Sequence, residues 1–394
     1  MVDIKKEIHS QMLSRPVLLD RFPRLKTRIG LSQQGVILGM IDRLPIASTR
    51  SRILLRGLRR LIGPVLWSVK IEVNNACDLS CRMCYAKKGN DLLPMTDIVR
   101  LLDDIAGTGT RVEILGGEPL MRDDLAEIIH YAKHKARVPQ VVVYTNARYA
   151  SPARARELHQ AGLDVAIVNL ISSDEQEHDA FVGKKAAWAE TIAGIRCLMD
   201  EGVTVYTFTA IHSVNIGRVR EIHAFVKGNL GAHALFYQYI PQHKDDPLIP
   251  DKTRWAEIKH WILCDANSEH ARFVRNFCTL AGTSCSGGDF VFTVKVDGTV
   301  TPCPFIADIA LGNIKEDSIW KIIRDRFTND RFVEFRSLPY ECLGCTYANV
   351  CNGGCKAGNM TLFGHYDHKD NRCLGPWKKQ IQEEAVSDRL PCFF

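Results

Sequence analysis

From about Val65 to Tyr239 the chain alternates short β-branched runs with segments of helical periodicity, and this alternation limits its fold more than any other feature. A strand followed by a helix and a second strand makes a parallel pair with a right-handed crossover. Strand candidates are 66–73, 111–115, 140–145, 165–170, 203–211 and 234–239. Between them, 97–106, 124–135, 153–161, 188–201 and 218–227 carry helical spacing. The pattern predicts an α/β fold, a partial (β/α)6 TIM-like barrel, with its sites at the C-terminal ends of the strands. A small cysteine-rich α+β domain is expected after it.

Three cysteines follow the first strand closely: Cys77, Cys81 and Cys84, spaced C-x3-C-x2-C. A cubic iron–sulfur cluster normally takes four thiolates, so three leave one iron open to a small molecule with an amine and a carboxylate. Such spacings also suit a structural zinc knuckle. A zinc site would want a fourth ligand nearby, yet no Cys or His stands between Cys84 and His130. About one βα unit later comes Gly116-Gly117-Glu118-Pro119, a turn whose glycines let the backbone approach a ligand closely.

The chain has fourteen cysteines in 394 residues. In a chain this long, with cysteines in metal-like clusters, they point to a reducing cytosol rather than to disulfides. No signal peptide and no run of eighteen apolar residues occurs, so a soluble, cytoplasmic protein is expected. Net charge is +6, but residues 1–70 hold fourteen Lys/Arg against four Asp/Glu, so the excess lies in the N-terminal arm. There Arg52, Arg56, Arg59 and Arg60 oppose Leu54, Leu58 and Leu61, which describes a basic amphipathic helix suited either to packing or to peripheral contact with an anionic partner. The domains read as a basic, mainly helical arm at 1–64, the barrel at 65–250, an auxiliary domain at 251–376 and a tail at 377–394.

The cysteine spacing together with Gly-Gly-Glu-Pro resembles the radical S-adenosylmethionine (radical SAM) family. The resemblance implies a [4Fe-4S] cluster on Cys77, Cys81 and Cys84, with SAM chelating its open iron. Gly116, Gly117 and Glu118 are then expected at the SAM amine, and Tyr85 near the adenine. Thr145-Asn146 resembles the family's Thr-Asn-Gly, with Ala147 in place of glycine. Asn169 and Ser172 stand about where ribose contacts are expected, although Val182 replaces the usual arginine downstream. His178-Asp179 in the same stretch reads as a structural loop pair.

A second array, Cys285-x12-Gly298-x4-Cys303, then Cys342-x2-Cys345-x5-Cys351-x3-Cys355, with Cys373 beyond, resembles the seven-cysteine SPASM extension. That resemblance implies two auxiliary [4Fe-4S] clusters, three clusters in all. Cys342, Cys345, Cys351 and Cys373 would hold one, and Cys285, Cys303 and Cys355 part of the other. Cys278 is the expected closing thiolate; without it, one auxiliary iron would stay open to substrate. An Asp297-Gly298 hairpin is expected inside the extension.

The implied activity is that of an enzyme that cleaves SAM reductively, abstracts a substrate hydrogen and oxidises or cross-links the substrate in a biosynthetic pathway. The substrate would be a peptide or a small molecule, and a low-potential donor such as flavodoxin or ferredoxin would supply electrons. A non-enzymatic multi-cluster electron carrier is the contrasting reading, though a carrier has no need of Gly-Gly-Glu-Pro. So is a zinc-dependent nucleic-acid-binding module, yet no aromatic stacking pattern accompanies the basic arm and no specific nucleic acid is expected. Tyr206, His212, Tyr237, Gln238 and His243 on the late strands read as packing or loop positions rather than catalysts.

Overall fold

A computed structural model describes residues 66–264, 285–345, 348–373 and 375. The N-terminal arm, the tail and Cys278 lie outside the described residues. Strands β1 (Ser68–Glu72), β2 (Arg111–Leu115), β3 (Val141–Thr145), β4 (Val165–Asn169), β5 (Thr204–Ile211) and β6 (His233–Gln238) form consecutive parallel pairs. Their bounds fall within about two residues of those expected from the sequence.

Strands β1 to β4 are buried on both faces, which is why runs such as Val141-Val142-Val143 read as continuously apolar. One set of alternate residues, including Val69, Ile71, Val112, Ile114, Val141 and Val143, packs into the main core with Ile98, Leu101, Ile128, Leu158 and Ile195 of the covering helices. The opposite set, Val142, Val165 and Ile167 with Tyr144, Tyr206 and Phe208, forms a smaller apolar cluster on the other face. The helix expected over 124–135 ends as an α-helix at Leu125–His130 and continues as a π-helical turn, Tyr131–Lys135.

Two features differ from the expectation. His178 and Asp179 lie in a helix, Glu175–Val182, and not in a loop. Asp174 caps it by accepting from the Glu177 amide at 3.0 Å, and Gly183 stops it at φ 73°. Second, the expected hairpin forms as β7 (Val291–Val294) and β8 (Thr299–Thr301), but β7 also pairs in parallel with β1, in register Val69↔Phe292 and Ile71↔Val294. With β9 (Gly312–Asn313), the cysteine-rich part therefore extends the barrel into one nine-stranded sheet of order β6-β5-β4-β3-β2-β1-β7-β8-β9.

Candidate metal centres

The segment that carries Cys77, Cys81 and Cys84 leaves the end of β1 and rests on the helix Glu175–Val182. Ser80 donates to Val182 O at 2.8 Å and Arg82 to Phe181 O at 3.1 Å. Leu79 sits in an apolar cluster with Ile171, Phe181, Val182, Tyr239 and Leu248, flanked by Cys77, Cys81 and Met83. Polar ties hold the other side: Asp78 accepts from Lys184 at 2.6 Å and pairs with Arg148. No sequence motif marks Arg148 or Lys184; a signal would have needed knowledge of which loops meet.

Gly116 and Gly117 are fixed by this same segment. A Cβ on Gly116 would lie 2.3 Å from Asn74 O, and one on Gly117 would lie 2.2 Å from Ala76 O. Without side chains the two backbones bond directly, Gly117 N–H to Asn74 O at 2.9 Å and Glu118 N–H to Ala76 O at 2.7 Å. The buried Glu118 carboxylate then accepts from the Leu120 amide at 2.9 Å, the Thr145 hydroxyl at 2.6 Å and the Asn146 amide at 2.7 Å. The structure thus brings Glu118, Thr145 and Asn146 together. Burial pushes Glu118 up to about 7 against the pull of those three donors.

Asn169 ends β4 with its Oδ1 buried and without a hydrogen-bond partner among the described residues. Ser172 is differently occupied: its hydroxyl donates to Glu177 at 2.7 Å and accepts from the Asp174 amide at 3.1 Å. Tyr85 faces the cysteine-rich part. Its ring lies 4.5 Å from Phe305, the Lys295 ammonium is 5.3 Å from its centroid, and its hydroxyl donates to Glu72 at 3.4 Å. Lys295 in turn donates to Glu72 and to Pro304 O, each at 2.7 Å, so β1 and β7 are locked beside Tyr85. Lys295 and Phe305 were not read from the sequence, because only the β1–β7 pairing brings them here.

Cys77, Cys81, Cys84, Cys197, Cys285, Cys303, Cys342, Cys345, Cys351, Cys355 and Cys373 are free thiols. Their mutual electrostatics sort the clustered ones into three sets. Cys81 is pushed up to about 12 by burial, and the neighbouring Cys84 and Cys77 add to the rise. Cys303, also pushed up to about 12, feels Cys285 and Cys355 after burial itself. Cys342 and Cys351 are each held at about 11 by burial; Cys373 and Cys345 act on the first, Asp370, Cys373 and Cys342 on the second. Thiols gathered this way ionise together only when a cationic centre takes them up. Among the described residues no three His, Cys, Asp or Glu side chains form a group that could hold one metal ion. A cubane asks for a wider arrangement, with each thiolate on a different iron. Thiolate sulfur is the donor such a cluster takes.

The late-strand residues are packed. The His212 ring stacks on Phe181 at 4.4 Å, Tyr206 on His233 at 4.7 Å, and Tyr237 lies 4.3 Å from Phe208. His243 is exposed.

Comparisons with known proteins agree with this architecture. The radical SAM superfamily model matches residues 71–226, and the SPASM iron–sulfur cluster-binding domain matches residues 285–352. The chain is 24% identical over 348 residues to an AdoMet-dependent heme synthase of Nitratidesulfovibrio vulgaris, covering 79% of this chain and 93% of the relative. It is 24% identical over 356 residues to a PqqA peptide cyclase of Gluconobacter oxydans, covering 82% and 95%. Its fold is similar to the crystal structure of Streptococcus suis SuiB bound to precursor peptide SuiA, with TM-score 0.64, 17% identity and coverage of 82% of this chain and 80% of that one. Two matched domains that span more than half the chain, in the order and positions of the two cysteine arrays, place the protein in the radical SAM superfamily as an enzyme of the SPASM type.

Proposed function

We propose that this enzyme takes a hydrogen atom from a carbon of a biosynthetic precursor and passes the substrate's remaining electron to the auxiliary centres, leaving an oxidised or newly bonded product. The observation that carries the reading is the seam between β1 and β7, beside which the loop after Cys84 meets the segment after Cys303 through Tyr85 and Phe305. When bound, SAM and its cluster would supply the 5′-deoxyadenosyl radical. The chain's own residues do the rest. Cys77, Cys81 and Cys84 would hold the SAM-binding cluster; Cys285, Cys303 and Cys355, with Cys278, and Cys342, Cys345, Cys351 and Cys373 would hold the two auxiliary ones. Gly116 and Gly117 bring backbone up to the SAM amine. Glu118 fixes Thr145 and Asn146 beside it, and Asn169 offers its unspent acceptor to the ribose.

The substrate class we favour is a tetrapyrrole, because relatives named for heme synthesis align along most of this chain. A peptide substrate is the second reading, supported by the peptide cyclase relative and by the fold shared with a peptide-bound enzyme. A flavodoxin or ferredoxin is the proposed donor, the cytoplasm the proposed compartment, and an anionic partner the proposed contact of the basic arm. Among the described residues, no helix is long and apolar enough to cross a membrane. The test is anaerobic incubation of reconstituted enzyme with SAM, a reductant and, separately, iron-coproporphyrin or candidate precursor peptides. Mass spectrometry should show 5′-deoxyadenosine with a substrate mass change in one arm. SAM cleavage with no mass change in the tetrapyrrole arm and turnover in the peptide arm would reverse the order.

A further inference from the structure

Lys356 is one of the largest fully buried side chains of the protein, with 1% of its surface exposed. Lysine is almost never buried without a partner that offsets its charge. Among the described residues its ammonium donates only to carbonyls, Ser337 O at 2.8 Å and Tyr366 O at 3.2 Å. Among the described residues no carboxylate pairs with it; Asp367 acts from beyond hydrogen-bonding distance, and Arg336 opposes the charge. The neighbouring buried cations are neutralised, Arg336 by Asp289 and Arg372 by Asp370. Lys356 has no such carboxylate, and among the described residues Arg326, which donates to Gly288 O and Ile323 O, is another buried cation bonded to carbonyls.

Its position explains what is missing. Ser337 follows Arg336, which donates to Cys285 O at 3.0 Å, and precedes Pro339, whose carbonyl accepts from the Cys342 amide at 2.9 Å. The ammonium therefore sits on the short segment, from Arg336 to Cys342, that joins one auxiliary cysteine set to the other. A cubane bound by thiolates carries net negative charge, and a buried cation beside it favours the reduced, more negative form. We propose that the Lys356 ammonium is the shared counter-cation of the two auxiliary clusters and sets both of their reduction potentials toward more positive values. This makes Lys356 a positioning residue for the electron outlet, and it rests on the cluster assignment above.

The deciding variant is Lys356→Gln, which keeps donors for the two carbonyls and removes the charge; Lys356→Arg restores it. In redox titrations of anaerobically reconstituted protein followed by electron paramagnetic resonance, both auxiliary midpoints should move negative in Lys356→Gln and return toward wild type in Lys356→Arg. The SAM-site midpoint should stay in place in both. Loss of auxiliary iron in Lys356→Gln with retention in Lys356→Arg also supports the role. Wild-type potentials in Lys356→Gln, equal shifts in both variants, a shift of all three clusters, or loss of iron in both variants would overturn it. Wild-type protein with a single cluster's worth of iron would instead sink the cluster assignment itself.

Discussion

Glu118 holds the ends of β2 and β3 together, since one carboxylate serves Leu120, Thr145 and Asn146 at once. The Gly-Gly-Glu-Pro motif locates the residue, but these partners come from two separate stretches of chain. In Glu118→Ala the buried donors lose their acceptor, at a cost of about 1–3 kcal/mol for each one left unpaired. The variant should melt lower and bind SAM more weakly in equilibrium dialysis while keeping iron near the wild-type content; unchanged SAM affinity would refute the role. His178 and His212 act on stability in another way. Burial pulls each down to about 4 from the ordinary 6.5. Between those values the unfolded chain takes up protons that the folded one refuses, so their contribution is whole above about 6.5 and is lost as the pH falls toward about 4. Each histidine costs up to about 1.4 kcal/mol per pH unit in that window. The double variant His178→Gln, His212→Gln should flatten the fall of Tm with acid, and a slope like that of wild type would show that neither histidine matters.

The contact between the β1 and β2 loops is the least forgiving element. Gly117 approaches Ala76 O so closely that even a methyl group must displace backbone. Gly117→Ala should therefore move the segment that carries Cys77, Cys81 and Cys84, and the expected result is a loss of about four irons with the auxiliary irons retained. Iron counting alongside a circular dichroism melt separates this from general unfolding. The helix Glu175–Val182, on which that segment rests, was missed in the sequence for a physical reason. It is short, and its buried face is His178, Phe181 and Val182, too few apolar positions to give a periodic signal. Its start and stop were nonetheless legible, as Asp174 with Glu177 three residues on, and Gly183.

At the scale of the molecule, β7 covers the β1 edge of the barrel. A chain ending at Cys264 would expose β1 as an unpaired edge and remove the Lys295 partner of Glu72. Such a truncation should aggregate, as size-exclusion chromatography would report; a monodisperse, SAM-binding barrel would contradict the dependence. With the full chain, three cubanes correspond to about twelve irons, and replacing Cys77, Cys81 and Cys84 together by alanine should leave about eight. Zinc at about one per site in protein purified anaerobically would contradict all three assignments.

The six strands, their order and the close spacing of Cys77, Cys81 and Cys84 were legible in the sequence, because each depends on one short stretch: alternation with helices, β-branched runs, and thiols a few residues apart. The tertiary structure alone decided that β7 joins β1, that Tyr85 meets Phe305 and Lys295, and that Lys356 lies buried against Ser337 O and Tyr366 O. Those contacts join residues such as Glu72 and Lys295, 223 positions apart, and no local pattern records them. They follow from the need of an open sheet edge for hydrogen-bond partners, and from the close approach that this pairing forces on everything beside it.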